Sequence, residues 1–439
     1  MKIVCHFLFG LATAGALAFA ARAAEPAAAS TNAIQLGAGL ITQMADEMRT
    51  NHPALQALGA RARAAQHSTN AVRTWEDPLF KFGGVTASER GPTLHEDGDL
   101  LYALEQKLPL FGKAQAARTS AQADAEVENA RQVVQFQTLR RDLAKALFEL
   151  GRSDRLLELG REDLSWLESM VAVAEEQYGA GRGKQLDVLR LQNERSRRFV
   201  QLRSQEDQRQ HQQLAINRLL HRELQAPLPR LLLPTVARPI SYNPQLVDLA
   251  SRFEPRLRLM EKETKQAEAA LKAARKSRLP DVSAGIEGRQ YSGDGGFREG
   301  TFLVSLSLPW LNRKAYRSEV ARTEERLRAS ELEATDYRLT VQQEVHQLTV
   351  AIEAARREAS LYPDEILPRA RLAVETASNS WQINQGPLTD LLEARRILWE
   401  AQESHARAVA QQYQAMSELV LCCGLGDLEA LEAIGAAVP

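Results

Sequence analysis

The chain has 439 residues, of which 44% are hydrophobic, 25% are charged and only 6% are aromatic. This balance belongs to a folded protein and excludes an intrinsically disordered one. Because 55 basic residues stand against 56 acidic ones, there is no basic excess for a phosphate backbone, and nucleic-acid binding is not expected. Abundant Ala, Glu, Gln, Arg and Leu favour long helices.

The N-terminus has the pattern of a secretory signal. An apolar stretch at residues 7–20 follows Lys2, and Ala21–Ala23 offers a small-residue cleavage site. We predict a signal peptide at residues 1–23 and a flexible segment at 24–32. A cleavage site three residues earlier and a short membrane anchor are the alternatives. No other segment approaches 18 uninterrupted apolar residues, so no transmembrane helix is expected in the mature chain.

The rest of the chain is an internal duplication with a period of about 200 residues. Three proline-containing landmarks recur at offsets of 202, 202 and 200 residues. A fourth keeps its internal spacing at an offset of 203, where Tyr178, Gly183 and Asp187 correspond to Trp381, Gly386 and Asp390. The pattern predicts two structural repeats, a Pro-rich linker and a C-terminal tail. The repeats are predicted at 33–226 and 245–426, the linker at 227–244 and the tail at 427–439.

Each half has the same predicted order: a helix, two strands, a very long helix and a return helix. The first helices are predicted at about 34–72 and 245–277. The long helix at Lys113–Tyr178 would span ~100 Å, with Gly151 and Gly160 as points where it could be interrupted. Pro363 and Pro368 are expected to break or kink its counterpart. Seams with 3-4 spacing indicate coiled-coil packing. They are Leu164, Leu167, Val171, Ala174 and Tyr178, and Val341, Val345, Leu348 and Ile352.

Short alternating segments precede both long helices. Val282, Ala284 and Ile286 alternate with Ser283 and Glu287, as in a strand with one apolar face. The strands have the length that a tilted strand needs to cross a bilayer, and loops at 87–98 and 292–299 would join them as two hairpins. Four strands cannot close a membrane barrel, and a bilayer leaves no strand edge unpaired. The chain is therefore expected to share a barrel with copies of itself. Four soluble strands in an α+β protein are the alternative.

No constellation for catalysis, cofactor binding or metal binding is evident. The sequence lacks a phosphate-binding Gly-rich loop, a nucleophile elbow, HExxH and paired CxxC motifs. No two histidines have helical metal-ligand spacing, and Met is scarce. We therefore predict no enzyme, no cofactor and no metal site. Adjacent Cys422 and Cys423 are predicted to be buried apolar side chains, with a redox or metal role as the alternative.

This duplicated plan resembles the TolC-type outer-membrane efflux proteins over nearly all of the mature chain. The sharpest local similarity is at residues 178–190, which resemble the aperture-end turn of these proteins, particularly in their heavy-metal efflux branch. Residues 106–113 and 278–281 resemble the family's exit from the barrel and its second entry. The resemblance implies a mainly α fold with a β-barrel portion. A homotrimer would share a twelve-stranded barrel in the outer membrane and extend an α-helical tube into the periplasm.

The resemblance also implies aperture residues. Asp390 and Glu393 match positions where the family places carboxylates around the constriction, and three copies of each would form a ring that favours cations. Asp187 matches a position that can form inter-helix links holding the aperture closed. Its candidate partners are Arg182, Lys184 and Arg395. Solvated charges at helix ends are the alternative, because the helix dipole favours an Asp near a helix start.

Finally, the resemblance implies partners. The family joins a periplasmic adaptor (membrane fusion) protein and an inner-membrane pump, here expected to be of the RND type, and it contacts outer-membrane lipid. The adaptor-contacting tips would include Tyr178, Gly181, Gly183, Trp381 and Gly386. We predict the exit duct of a tripartite efflux system, with heavy-metal cations as cargo on the branch resemblance alone. A multidrug or type I protein-secretion duct, and a periplasmic coiled-coil adaptor, are the alternatives.

Overall fold

The computed structural model of the chain describes residues 33–84, 99–291 and 295–436. The predicted signal peptide, the segment at 24–32 and the predicted loop at 87–98 lie outside the described residues. The second predicted loop lies only partly among them. Its assignment to residues 292–299 was too long, because the next strand already begins at Phe297.

The two halves repeat the same order of elements. The first contains β1 (Ile34–Gln35), α1 (Ala38–Asn51), α2 (Pro53–Ala71), β2 (Leu79–Gly84), β3 (Asp99–Leu108), α3 (Lys113–Gly179) and α4 (Gln185–Leu220). The second contains β4 (Leu231–Leu232), α5 (Pro244–Phe253), α6 (Pro255–Ser277), β5 (Val282–Tyr291), β6 (Phe297–Leu306), α7 (Arg313–Leu361), α8 (Leu367–Gln382) and α9 (Leu388–Cys422). A last helix, α10 (Leu428–Ala436), lies in the predicted C-terminal tail.

Each predicted first helix is in fact two helices. The chain breaks before Pro53 and again before Pro255, because a proline inside a helix removes a hydrogen bond and clashes with the preceding turn. Both prolines instead begin a new helix, where the missing N–H is harmless. The side chains of His52 and Glu254 cap these helices by accepting hydrogen bonds from Ala54 N and Leu257 N.

The long helix α3 is continuous over 67 residues, so Gly151 and Gly160 do not interrupt it. They permit close packing instead. A Cβ added at Gly151 would lie 2.8 Å from Leu36 Cδ1, and one at Gly160 would lie 3.0 Å from Leu202 Cδ1. The glycines therefore mark places where neighbouring side chains press against the helix backbone.

The prolines of the second half, predicted to break or kink the helix, change its local geometry without ending it, and Pro368 lies in the first turn of α8. Residues Tyr362–Ile366 form a π-helical turn between α7 and α8, and Pro363 lies inside it. A π turn bonds each amide one residue further back, so the chain turns through a wider loop without ending the helix. The predicted seam on α7 is also confirmed, since Val341, Val345 and Ile352 are fully buried.

The four long strands form one antiparallel sheet in the order β2-β3-β5-β6. The two hairpins meet at β3 and β5, which pair along their full lengths from Asp99↔Tyr291 to Leu108↔Val282. Strands β1 and β4 form a separate two-stranded parallel pair. Among the described helices, none combines the length and apolarity that a bilayer span requires.

Two main apolar cores hold the helices together. The larger lies where α1, α3, α7 and α9 meet the linker between the repeats, and it contains Phe148, Leu231 and Met416. Cys422 and Cys423 are buried in it as free thiols, as predicted. Burial raises the pKa of Cys423 to about 12, so this thiol stays protonated at neutral pH. The smaller core lies towards the α3–α4 and α8–α9 turns.

Candidate functional site

The two helical hairpins end in turns with the same backbone hydrogen-bond pattern. Gly183 N donates to Gln177 O at 2.8 Å, and Gly386 N donates to Ser380 O at 3.1 Å, an offset of 203 residues. Four further bonds obey the same offset. In donor-to-acceptor order they are 180→176, 181→178, 182→177 and 187→184 in the first turn, and 383→379, 384→381, 385→380 and 390→387 in the second. The predicted duplication therefore extends to individual hydrogen bonds. We call residues 177–186 and 380–389 the first and second tips.

Both tips require a residue in the left-handed region. This residue is Gly181 in the first tip, with φ 72°, and Asn384 in the second, with φ 58°. Glycine adopts this conformation without steric cost, and Asn is the side chain that tolerates it best. Gly183 is needed for a different reason. A Cβ there would lie 2.8 Å from Tyr178 N, within the backbone of the turn itself.

Equivalent aromatic residues of the two tips have opposite exposures. Tyr178 is 49% exposed, whereas Trp381 is 3% exposed and packs in the smaller core with Leu388 and Leu391. The side chain of Trp381 thus supports the second tip from inside, and only Tyr178 offers an aromatic surface to a partner. Contact between the tips and an adaptor stays a prediction.

The candidate aperture carboxylates lie directly after the tips. Asp187 is in the first turn of α4, and Asp390 is in the first turn of α9. Within the described residues neither forms an ion pair. Glu393 differs, because Arg396 Nη2 on the same helix lies 2.7 Å from Glu393 Oε1. The hydrogen bond from Arg396, aided by its charge, holds the pKa of Glu393 below its usual range.

The expected partners of Asp187 are placed differently. Arg182 and Lys184 are exposed on the first tip, and neither forms an ion pair within the described part of the chain. Arg395 does not contact Asp187, because its Nε donates to Asp163 Oδ1 at 2.7 Å. The expectation that Arg395 pairs with Asp187 is therefore wrong within one chain. Sequence reasoning missed Asp163, since an isolated acidic residue in a long helix carries no motif.

The two tips touch each other within one chain. Gln177 Nε2 donates to the backbone oxygen of Gln382 at 3.3 Å. Beneath this contact, Val171 and Ala174 of α3 share the smaller core with Leu191 of α4 and Leu391 of α9. The tips are thus adjacent, and their carboxylates belong to the same end of the helical bundle.

At the other end of the long helices, the sheet has two chemically different faces. On one face Phe80, Phe82 and Phe302 are 64%, 69% and 71% exposed, and Ile286 is 62% exposed. Their register is continuous across strands, with Phe80↔Leu104↔Ile286↔Phe302 in one row. Exposed apolar surface of this extent marks contact with a membrane or a partner.

The opposite face of the sheet is polar. Lys81 Nζ lies 2.6 Å from Glu105 Oε2, and Ser283, Glu287 and Thr301 follow on the neighbouring strands. In the described sheet, β2 and β6 each pair on one side only. An amphipathic sheet with two open edges, apolar outside and polar inside, is one segment of a membrane barrel completed by other chains. This arrangement defines a channel protein.

Comparison with known proteins identifies the family. The family model described as outer membrane efflux protein matches residues 44–221 and 246–425, so each repeat is matched separately. The chain belongs to the outer membrane efflux protein family. It is therefore an outer-membrane efflux channel that extends into the periplasm, a transport duct and not an enzyme. Channels of this family are homotrimers that work with a periplasmic adaptor and an inner-membrane pump.

Solved structures show the same fold at low sequence identity. The outer-membrane channel OprN is 18% identical, with a TM-score of 0.75 over 88% of this chain and 90% of that chain. VceC from Vibrio cholerae is 17% identical, with a TM-score of 0.74 over 89% of this chain and 97% of that chain. CusC is 15% identical, with a TM-score of 0.76 over 89% of this chain and 93% of that chain. No curated protein sequence matches the chain.

The fold of these channels gives the four strands their context. The mainly helical chain contributes four strands to a barrel that only the trimer closes, and its long helices contribute to the periplasmic tube. The predicted fold class is thereby confirmed. The alternatives of a soluble α+β protein and of a periplasmic adaptor are excluded by the family match.

Proposed function

We propose that this channel is the exit duct of a tripartite system that exports heavy-metal cations, and that its inner-membrane pump is of the RND type. The observation that best supports a cationic cargo is the pair of carboxylates, Asp187 and Asp390, that lack a cationic partner in the described chain. Three chains would bring six such charges to the inner end of the tube, beside the six exposed basic side chains of Arg182 and Lys184. A ring of carboxylates attracts cations and repels anions.

The similarity of residues 178–190 to the heavy-metal branch is a second support, independent of charge. Within the described residues, no group of His, Cys, Asp and Glu is arranged to hold a metal ion. A duct of this kind would pass its cargo without binding it tightly, because selection occurs in the pump and the adaptor. In this proposal the adaptor contacts Tyr178, Gly181, Gly183 and Gly386 at the tips, and lipid covers the apolar face of the sheet.

The test is growth of a deletion strain on copper, silver, zinc, cobalt, cadmium and nickel salts, with antibiotics and detergents alongside. We expect hypersensitivity confined to metal salts and rescue by the plasmid-borne gene. Sensitivity to antibiotics or detergents instead would overturn the metal cargo and indicate a multidrug duct. Loss of a secreted protein without either sensitivity would indicate a type I secretion duct.

A matched pair of variants connects the phenotype to the carboxylates. Asp187→Asn combined with Asp390→Asn should lower metal resistance while trimers still reach the outer membrane. The control is Asp187→Glu combined with Asp390→Glu, because it changes the same two positions but keeps both negative charges. If the double variant protects the deletion strain as well as the wild-type gene does, these carboxylates do not serve cation export.

A further inference from the structure

Asp163 on α3 is a buried carboxylate that holds two other helices. Its side chain is 2% exposed, and both of its oxygens are occupied. Arg395 Nε of α9 donates to Oδ1 at 2.7 Å, and Arg198 Nε of α4 lies 2.6 Å from Oδ2. Hydrogen bonds between charged groups are stronger than neutral ones, and their worth rises where water is excluded.

Two tryptophans fix the arginines in a crosswise arrangement. The Arg198 guanidinium lies over the ring of Trp399 on α9, 4.0 Å from the centroid. The Arg395 guanidinium lies over the ring of Trp166 on α3, at 4.8 Å. Each arginine thus pairs with Asp163 and stacks on a tryptophan of a helix other than its own. A planar guanidinium can make both contacts at once, whereas a lysine ammonium cannot.

The position of this cluster relates it to the tips. Arg198 follows Asp187 by eleven residues on α4, a rise of ~16 Å. Arg395 follows Asp390 by five residues on α9, a rise of ~8 Å. The two return helices that leave the two tips are therefore tied to one another, through Asp163, within their first few turns.

The ionic cluster around Asp163 also connects the two repeats. Asp163 and Arg198 belong to the first repeat, whereas Arg395 and Trp399 belong to the second. Elsewhere near the tips the repeats meet through apolar side chains, which can slide past one another at small cost, and through the Gln177–Gln382 hydrogen bond. Both oxygens of the buried Asp163 carboxylate are occupied only when both arginines are in place, and displacement of α4 or α9 takes one arginine away from it.

We propose that Asp163 is a positioning residue for channel opening, and that it couples the first tip to the second so that both tips of a chain move together. The proposal rests on the channel function of the family and not on the identity of the cargo. It predicts that a chain lacking the Asp163 carboxylate still assembles but allows its two tips to separate independently.

The first experiment measures the separation of the tips directly in the full-length trimer. Gln177→Cys and Gln382→Cys, introduced together, place thiols at the contact between the tips, and a short bismaleimide reports their proximity. The native thiols, Cys422 and Cys423, are buried and serve as an unreactive background. Adding Asp163→Asn should slow cross-linking within a chain roughly tenfold, the scale of ordinary coupling energies.

The second experiment measures the channel in planar bilayers. Asp163→Asn should increase conductance fluctuations and raise mean open-state occupancy relative to the wild-type trimer. The matched control is Glu206→Gln, which removes the ion pair between Arg161 of α3 and Glu206 of α4 but leaves α9 untouched. A residue with a merely structural role would lower the melting temperature of the trimer while leaving cross-linking and conductance unchanged.

Each outcome decides the proposal. If Asp163→Asn trimers cross-link and conduct like the wild type and Glu206→Gln, coupling through Asp163 is wrong. If Asp163→Asn does not assemble, the Arg395→Lys variant is tested in its place. A lysine keeps the positive charge beside Asp163 but loses the planar guanidinium that stacks on Trp166. Slower cross-linking in that variant supports the proposal, and wild-type cross-linking overturns it. A wild-type trimer that does not conduct would instead contradict the channel function, which the cross-linking experiment does not depend on.

Discussion

Tyr178 and Trp381 occupy equivalent positions in the two tips, 203 residues apart, yet one side chain is 49% exposed and the other 3%. The backbone around them is hydrogen-bonded identically, so the difference comes from the packing of the helices behind each tip. The second tip is filled from inside by an indole, and the first presents a phenol outward. The duplicated sequence has thus given one tip a buried aromatic side chain and the other an exposed one.

This asymmetry predicts different effects of the same truncation. Trp381→Ala should destabilise the trimer by ~3–5 kcal/mol per chain, because it leaves a cavity between α8 and α9. Tyr178→Ala should change stability by no more than ~0.5 kcal/mol, as for other exposed positions. Chemical denaturation of the detergent-purified trimer, followed by circular dichroism, measures both. Equal losses in the two variants would contradict the packing described for the second tip.

Two of the three glycines of the first tip, Gly179 and Gly183, predict a second contrast. Gly183→Ala places a Cβ 2.8 Å from Tyr178 N, so the turn must open and the tip must change shape. Gly179→Ala serves as the control, since a Cβ there meets nothing within 4 Å. We expect Gly183→Ala to reduce efflux in cells while outer-membrane trimer levels stay near normal, and Gly179→Ala to match the wild type. Full efflux by Gly183→Ala would show that the shape of this tip is not required.

Ion selectivity is the third prediction. Asp187→Ala and Asp390→Ala should each change conductance and lower the preference for cations without abolishing assembly, because each substitution removes three negative charges from the trimer. Reversal potentials under a salt gradient, measured on single channels, give the preference directly. Wild-type conductance and selectivity in both variants would remove these residues from the gate.

Stability against pH supplies the fourth prediction. The hydrogen bond from Arg222, which lies two residues beyond the end of α4, holds the pKa of Glu47 on α1 below its ordinary value of 4.5, and the Arg222 charge adds to this. A carboxyl whose folded pKa is depressed contributes stability above its unfolded pKa, and loses it as pH falls towards the folded value. Glu47→Gln should therefore melt below the wild type at pH 7, and this difference should shrink once the pH drops below about 4.5. If the difference in melting temperature stays constant across this pH range, the effect of Glu47→Gln comes from packing alone and not from the Glu47–Arg222 ion pair.

Features set by local spacing were predictable from sequence. The strand alternation, the turn glycines and the repeat offsets each follow from the backbone conformation that a residue type allows, and they indicated the hairpins correctly. Pro363 likewise predicted an irregular turn at the place where one occurs. The breaks before Pro53 and Pro255 were missed, although the same rule about proline predicts them.

Features set by distant contacts were not predictable. The helix α3 packs against α2, α6, α4 and α9 along its length, so its buried face changes and no single periodicity describes it. Leu164 continues the predicted seam but is only partly buried, whereas Asp163 beside it is buried because two arginines from other helices reach it. Burial of a charge depends on partners that only the folded chain brings together.

The π turn at Tyr362–Ile366 affects the relative lengths of the two helical arms that lead from the sheet to the tips. Between the equivalent strand ends and tips, the offset rises from 200 to 203 residues, so the second arm is three residues longer than the first. As α-helix those residues would add ~4.5 Å, enough to set one tip below the other. A π turn packs more residues into the same axial length and takes up part of this difference. The turn therefore offsets part of the extra length of the second arm, and the ends of the two arms are joined by the Gln177–Gln382 hydrogen bond.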